Sequence, residues 1–210
     1  MIDYNKLSGL QMDALKEVGN IGAAHAATAL SQITGQTIMI AVSRVNIVPL
    51  KGISQILEGP EEKVVAVYSK VLGDVVGGIV LVLCHRDALS LADFLQKKTP
   101  GATKYLSEVE NSALKESGAI LSSSYLRAIG GFMKMSLIPV TPNLVIGETE
   151  ITLNRIFSEL SRRSEIAFCI ETEFIESDHK INGHFLLIPE IKSLELILKA
   201  LGLAENAKGS

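Results

Sequence analysis

The chain has 210 residues, 47% apolar and 20% charged, with a formal net charge of −3 and no tryptophan. That length fits one compact unit or two small ones, and the apolar content is enough to bury a core, which excludes a disordered chain. With no basic excess and only 5% aromatic residues, nucleic acid is a poor partner, since phosphate backbones call for a positive field and single strands for exposed rings.

The first residues, Met1-Ile2-Asp3-Tyr4-Asn5-Lys6, lack the basic-then-apolar pattern of a secretory leader. A long helix follows. Leu10, Leu15, Val18, Ile21, Leu30 and Ile33 recur at roughly helical spacing and predict its buried stripe. Asp13, Glu17 and Asn20 fall at i, i+4 and i+7, which puts all three on one other face. Gly19 and Gly22 each cost about 1 kcal/mol relative to alanine inside a helix, and asparagine is a poor interior helix former. Such residues are explained where another backbone approaches closely, either within the chain or from a partner.

Next comes an apolar strand-like run at 37–48. Two more, at 63–71 and 77–84, flank the turn residues Gly73-Asp74 and read as a hairpin. Their unbroken apolar character predicts burial on both faces. The longest apolar stretch, 75–84, is about half of what a membrane span needs. An amphipathic segment at 87–96 closes the first half, and Thr99-Pro100-Gly101 has the turn chemistry of a joint.

The second half repeats the first. Residues 14–21 read Ala-Leu-Lys-Glu-Val-Gly-Asn-Ile and residues 113–120 read Ala-Leu-Lys-Glu-Ser-Gly-Ala-Ile, six identities in eight at an offset of 99. Strand-like runs at 135–146, 165–174 and 181–188 and an amphipathic segment at 193–201 follow in the same order. Residues 149–163 have no counterpart in the first half and read as an extra helix with Leu153, Ile156, Phe157 and Leu160 on one face. Asp178-His179-Lys180 reads as a charged turn, and the small polar tail 205–210 as frayed. Two units do not make a solenoid. The expected fold class is α/β (α+β): a single domain over 1–210, with pseudo-two-fold related repeats at about 8–98 and 105–203 sharing one β-sheet, and the long repeat helices packed on it.

Most familiar chemistries lack their residues. His25, His85, His179 and His184 show no paired ligand spacing, and Cys84 and Cys169 stand far apart without a C-x-x-C motif, so neither a metal site nor a disulfide framework is expected. A reducing cytoplasm is the expected compartment. Ser122-Ser123-Ser124 has no nucleophile-elbow context, and Gly77-Gly78 and Gly130-Gly131 lack the Lys-Ser/Thr of a P-loop.

The spacing Asp13-x-x-x-Glu17-x-x-Asn20, inside Leu15-Lys16-Glu17-Val18-Gly19-Asn20-Ile21-Gly22-Ala23-Ala24, resembles the CheC/CheX/FliY family of chemotaxis phosphatases, most closely its CheC members. The family pattern is Asp or Ser, then Glu, then Asn, then a proline further on, and CheC proteins carry it twice. The resemblance covers nearly the whole chain. In the second copy Ser112, Glu116 and Pro142 fit, but Ala119 stands at the Asn position. In the first copy Ser43 stands at the proline position, and His25 replaces a small or amide residue.

The resemblance implies a substrate, the phospho-aspartate of a CheY-type response regulator. Asn20 would orient the attacking water and Glu17 would pair with the regulator's active-site lysine. Asp13, Gly19 and Gly22 would contact the partner, the two glycines by letting the helix press against it. Ser112 and Glu116 would contact it in the second copy, whose site is degraded at Ala119. No cofactor of the chain's own is implied, and Mg²⁺ is expected on the regulator. The alternative is a regulatory protein with little or no catalysis, binding phosphorylated CheY or the receptor deamidase CheD. The CheD contact would lie near 149–163.

Overall fold

Two helices of 26 residues each, α1 (Gly9–Thr34) and α4 (Glu108–Met133), start and stop at the same offset as the repeated octet. The computed structural model describes residues 9–57, 62–160, 165–176 and 179–200. The tail 205–210, the last residues of the segments expected at 149–163 and 193–201, and Asp178 lie outside the described residues. Between the long helices come β1 (Met39–Pro49), a one-turn α2 (Ile53–Ile56), β2 (Lys63–Gly73), β3 (Gly77–Cys84) and α3 (His85–Leu95). After α4 follow β4 (Leu137–Pro139), β5 (Asn143–Glu148), α5 (Thr149–Leu160), β6 (Ile166–Glu176), β7 (His179–Pro189) and α6 (Ile191–Ala200).

All seven strands join one antiparallel sheet in the order β1-β6-β7-β3-β2-β4, with β5 also paired to β2. Exchanging the halves (β1 for β4 and β5, β2 for β6, β3 for β7) leaves that order unchanged. Equivalent strands then run in opposite directions, so a pseudo-two-fold axis passes between β3 and β7, normal to the sheet. It makes α1 and α4 antiparallel neighbours on one face. The mixed helix and sheet architecture expected from the sequence is borne out.

The sheet buries both faces. One carries the larger core, where Val65, Val67, Ile79, Leu81 and Phe185 meet the helices α1, α3, α4 and α6. On the other, Val64, Ala66, Val80 and Val82 meet Leu153, Ile156 and Leu160 of α5. That is why β2 and β3 read as unbroken apolar runs rather than alternating ones. Tyr68 anchors α5 by donating its hydroxyl to Glu159 at 2.6 Å. Among the described residues no helix is long and apolar enough to cross a membrane.

The structure corrects three expectations about the elements of the fold. The run at 135–146 is not one strand: β4 ends at Pro139 and β5 begins at Asn143. Pro142 between them has no N–H for the ladder. The extra helix has a counterpart after all, since α2 lies between β1 and β2 as α5 lies between β5 and β6. At four residues α2 is too short for periodicity to reveal. The stripe of α1 is also narrower than its spacing suggested. Val18, Ala23, Ala26 and Leu30 are buried, whereas Ile21 is 38% and Ile33 64% exposed.

α4 has a complete N-terminal cap. The Ser107 side chain accepts from the helix backbone, Glu110 reaches back to the Ser107 N–H at 3.0 Å, and Lys98 Nζ lies 2.7 Å from Glu110 Oε1. The Lys98 ammonium and the Ser107 hydroxyl hold the Glu110 carboxyl down to about 2. A depressed carboxylate contributes stability above its unfolded value, about 4.5 here, and loses it as pH falls through the folded value. Glu110→Gln keeps an acceptor for the cap but removes the charge. Its melting temperature is expected below the parent's at pH 7, with the gap closing between about pH 4.5 and 2. A gap constant over that range in parallel thermal melts would show that the charge contributes nothing.

Candidate functional site

Small residues bring α1 and α4 together. Tyr125 of α4 is fully buried, its ring 4.5 Å from that of Phe185, its hydroxyl 3.2 Å from Thr172 Oγ1. Burial pushes that hydroxyl up to about 12, so it stays neutral. Gly22 of α1 lies directly on it: a Cβ there would come within 2.7 Å of the ring and 3.1 Å of the Tyr125 Cα. α1 then ends at Gly35, whose φ of +66° and N–H to the Ser31 carbonyl at 2.8 Å make a left-handed cap.

β1 supports the same helix from below. A Cβ on Gly19 would meet Val42 and Val45 at 3.5–3.7 Å. Residues three apart in a regular strand point to opposite faces, yet Val42 and Val45 share the core that includes α1. The register shift between Val42 and Arg44 against β6 supplies the missing phase. Ser43 is the bulged residue, and its hydroxyl donates to the Glu171 carbonyl at 3.3 Å. The motif's proline position is therefore a break in an edge strand in both halves, a bulge at Ser43 and a gap between strands at Pro142.

Above this support Asp13, Glu17 and Asn20 are all exposed on one face of α1. Successive members lie about 5–6 Å apart along the helix. Neither Glu17 nor Asn20 makes a side-chain hydrogen bond or ion pair among the described residues. Asp13 and Glu17 form a like-charge i, i+4 pair, which costs about 0.2–0.5 kcal/mol. The face thus has hydrogen-bonding capacity and negative charge that the fold does not use. Half-exposed Ile21 and exposed Ala24 flank Asn20. Sequence reasoning placed Ile21 in the core because it fits the stripe; its position next to Asn20 was the available signal.

Gly19 and Gly22 do not join that face. Both are buried, Gly19 against β1 and Gly22 against Tyr125, so the expectation that they press against a partner is corrected. They serve packing within the chain.

In the second copy Ser112 and Glu116 are exposed on α4 and Ala119 is half-buried. Ser112, Glu116 and Val109 line a shallow groove near the helix start. A second open groove runs between the helices beside Ala119, lined by His25, Thr28 and Gln32 from α1 and by Ser123 and Arg127 from α4. On the α1 side its lining lies C-terminal to Asp13, Glu17 and Asn20, so the groove joins the later turns of α1 to the second copy's face. His25, the departure from the family pattern, therefore borders the second copy's Ala119.

Elsewhere the chemistry is quiet. Cys169 is buried, and burial pushes its thiol up to about 12. Cys84 Sγ accepts from the Asp87 N–H at 3.4 Å at the start of α3. No group of three His, Cys, Asp or Glu residues able to hold a metal ion occurs among the described residues. α5, where the CheD contact was expected, turns Leu153, Ile156 and Leu160 into the sheet and leaves Ile151 66% exposed.

Residues 10–47, which hold the first motif and the bulged strand, match the CheC-like family. The chain is 28% identical over 203 residues to the CheY-P phosphatase CheC of Bacillus subtilis, covering 95% of this chain and 97% of that one. Its fold superposes on Thermotoga maritima FliY with a TM-score of 0.77 at 21% identity, covering 95% of this chain and all of the other. It also superposes, with a TM-score of 0.50 at 18% identity over 90% of this chain and all of the other, on one chain of the crystal structure of the CheX–CheY–BeF3–Mg²⁺ complex from Borrelia burgdorferi. The resemblance to the CheC/CheX/FliY family carried by the Asp13–Glu17–Asn20 motif is thus borne out, in sequence along nearly the whole chain and in fold.

Proposed function

We propose that this chain accelerates loss of phosphate from the phospho-aspartate of a CheY-type receiver, working from the α1 face. The observation that carries this reading is the exposed Glu17–Asn20 pair, one turn apart, unused by the fold and closely packed from below at Gly19 and Gly22. The CheY-P phosphatase named among its relatives, and the CheX structure that includes CheY, support the choice of partner.

An acyl phosphate is already activated, so the helper protein has only to position water and steady the complex. The carboxamide of Asn20 accepts a hydrogen bond from the water through its carbonyl and donates through its NH₂. This aims the water oxygen at phosphorus, opposite the bond to the aspartyl oxygen. The new P–O bond forms as the acyl P–O bond breaks, its electron pair leaving on the aspartate carboxylate, and the water proton passes to phosphate or solvent. Glu17 pairs with a lysine of the receiver and sets the register, with Asp13 adding negative charge. The Mg²⁺ belongs to the phosphorylated partner.

The deciding experiment follows decay of a phosphorylated CheY-type receiver in Mg²⁺, with and without the chain. Faster decay at substoichiometric chain is the expected result. Decay unchanged or slowed would replace this reading with that of a passive binder.

A further inference from the structure

The C-terminal half of α4 and the edge strand β4 flank an open groove. Its charged lining is Arg127 and Lys134, and among the described residues no acid lines it. Both cations are exposed, and neither makes a side-chain hydrogen bond or ion pair among the described residues. Asp74 stands at the β4 end, where its carboxylate accepts from the Ser136 N–H at 2.8 Å. The positive lining is local, because the whole chain carries a net charge of −3.

Two features of the backbone single out the same place. Lys134 has a φ of +55°, in the left-handed region that disfavours side chains. At the repeat offset of 99 its counterpart is Gly35, with a φ of +66°. The second half thus holds a lysine where the first half uses the residue that fits without strain. Gly131 is exposed, and a Cβ added there would meet nothing within 4 Å. Packing within the chain therefore does not require a glycine at that wall of the groove.

β4 adds free backbone groups. The Asp74 N–H donates to the Ser136 carbonyl and the Val140 N–H to the Lys70 carbonyl, and Ile138 stands opposite Leu72 between them. Bonded and unbonded residues alternate along an antiparallel ladder. Leu137 therefore turns its N–H and C=O, and Pro139 its C=O, away from β2 toward the free edge. From these observations we propose that a partner protein adds an extended acidic segment along β4, with its carboxylates on Arg127 and Lys134. Alternate residues of such a strand face the α4 side with Leu137. Those between lie beside Ile138 and Val140, which are 56% and 42% exposed. The pattern that fits is acidic and apolar in alternation. From Ser123 to Lys134 the groove runs about 16 Å along α4, the length of about five extended residues. β4 has three residues, one of them proline, so backbone pairing alone is weak and the charges set the choice of partner.

Fluorescence anisotropy of a labelled peptide, Glu-Val-Glu-Val-Glu, titrated with the full chain tests the proposal. The peptide is expected to bind, and to bind about tenfold more weakly after Arg127→Ala or Lys134→Gly, since a hydrogen bond to a charged group is worth about that factor. Gln-Val-Gln-Val-Gln, and the acidic peptide N-methylated at its glutamates, are expected not to bind. Lys134→Gly also relieves the left-handed backbone, so its urea midpoint is expected to rise while its binding falls. Damage to the fold would lower both. No binding of the acidic peptide, equal binding of either control peptide, or undiminished binding by the two variants would overturn the proposal. So would self-association of the parent in sedimentation equilibrium that Lys134→Gly abolishes, because the occupant would then be a second copy of the chain.

Discussion

Asn20→Ala is expected to reduce the accelerated phosphate loss by about 10²-fold, to near the receiver's unassisted rate, since misplacing a reacting group by about 1 Å already costs about that much. The same substitution is expected to raise the unfolding free energy by a few tenths of a kcal/mol. Asn20 is exposed in mid-helix with no side-chain hydrogen bond among the described residues, and alanine is the better helix former. Loss of activity and gain of stability therefore have opposite signs, which removes unfolding as an explanation. Affinity for the loaded receiver is expected to survive, because Glu17 still pairs. Asn20→Asp keeps acceptor oxygens but loses the NH₂ donor and adds a charge next to the phosphoryl group, so it is expected to fall with the alanine variant. The checks are single-turnover decay of the phosphorylated receiver and urea unfolding of the same preparations. An alanine variant as fast as the parent would remove Asn20 from the chemistry.

Much of this architecture was legible in the residues because it rests on period and repetition. β3 occupies Gly77–Cys84 as its apolar run predicted, and the offset of the octet fixed two helices of equal length. The motif face was legible because exposure of Asp13, Glu17 and Asn20 follows from helical spacing once the stripe is placed. Other features depend on what lies across from a residue, which spacing does not contain. The bulge at Ser43 exists only in the register with β6. Ile21 fits the stripe but sits at its edge, where α4 does not cover it. Gly19 and Gly22 showed that something approaches closely, yet only the packed structure identifies Val42, Val45 and Tyr125 as what does. The same holds for the nearness of His25 to Ala119, which comes from the pairing of α1 with α4.

The two glycines of α1 yield the second large effect, because they are expected to respond to the same substitution in opposite directions. Either change to alanine gains about 1 kcal/mol of helix propensity. At Gly19 the new methyl meets Val42 and Val45 at 3.5–3.7 Å, ordinary van der Waals contact, so the gain is kept and the urea midpoint rises. At Gly22 the methyl comes within 2.7 Å of the Tyr125 ring and 3.1 Å of its Cα. The ring has no free space to turn into, since it is fully buried and tilted against Phe185, and the Cα belongs to α4 itself. The helices must separate, and overpacking of this kind costs about 1–3 kcal/mol. Gly22→Ala is therefore expected to lower the urea midpoint with little change in slope. It is also expected to slow phosphate loss more than its stability loss explains, because parting α1 from α4 moves Asn20 relative to a docked receiver while leaving Glu17 exposed. If both variants shifted the midpoint upward, the contact between Gly22 and Tyr125 would not limit the helix spacing, and the placement of the Asn20 face would need another source.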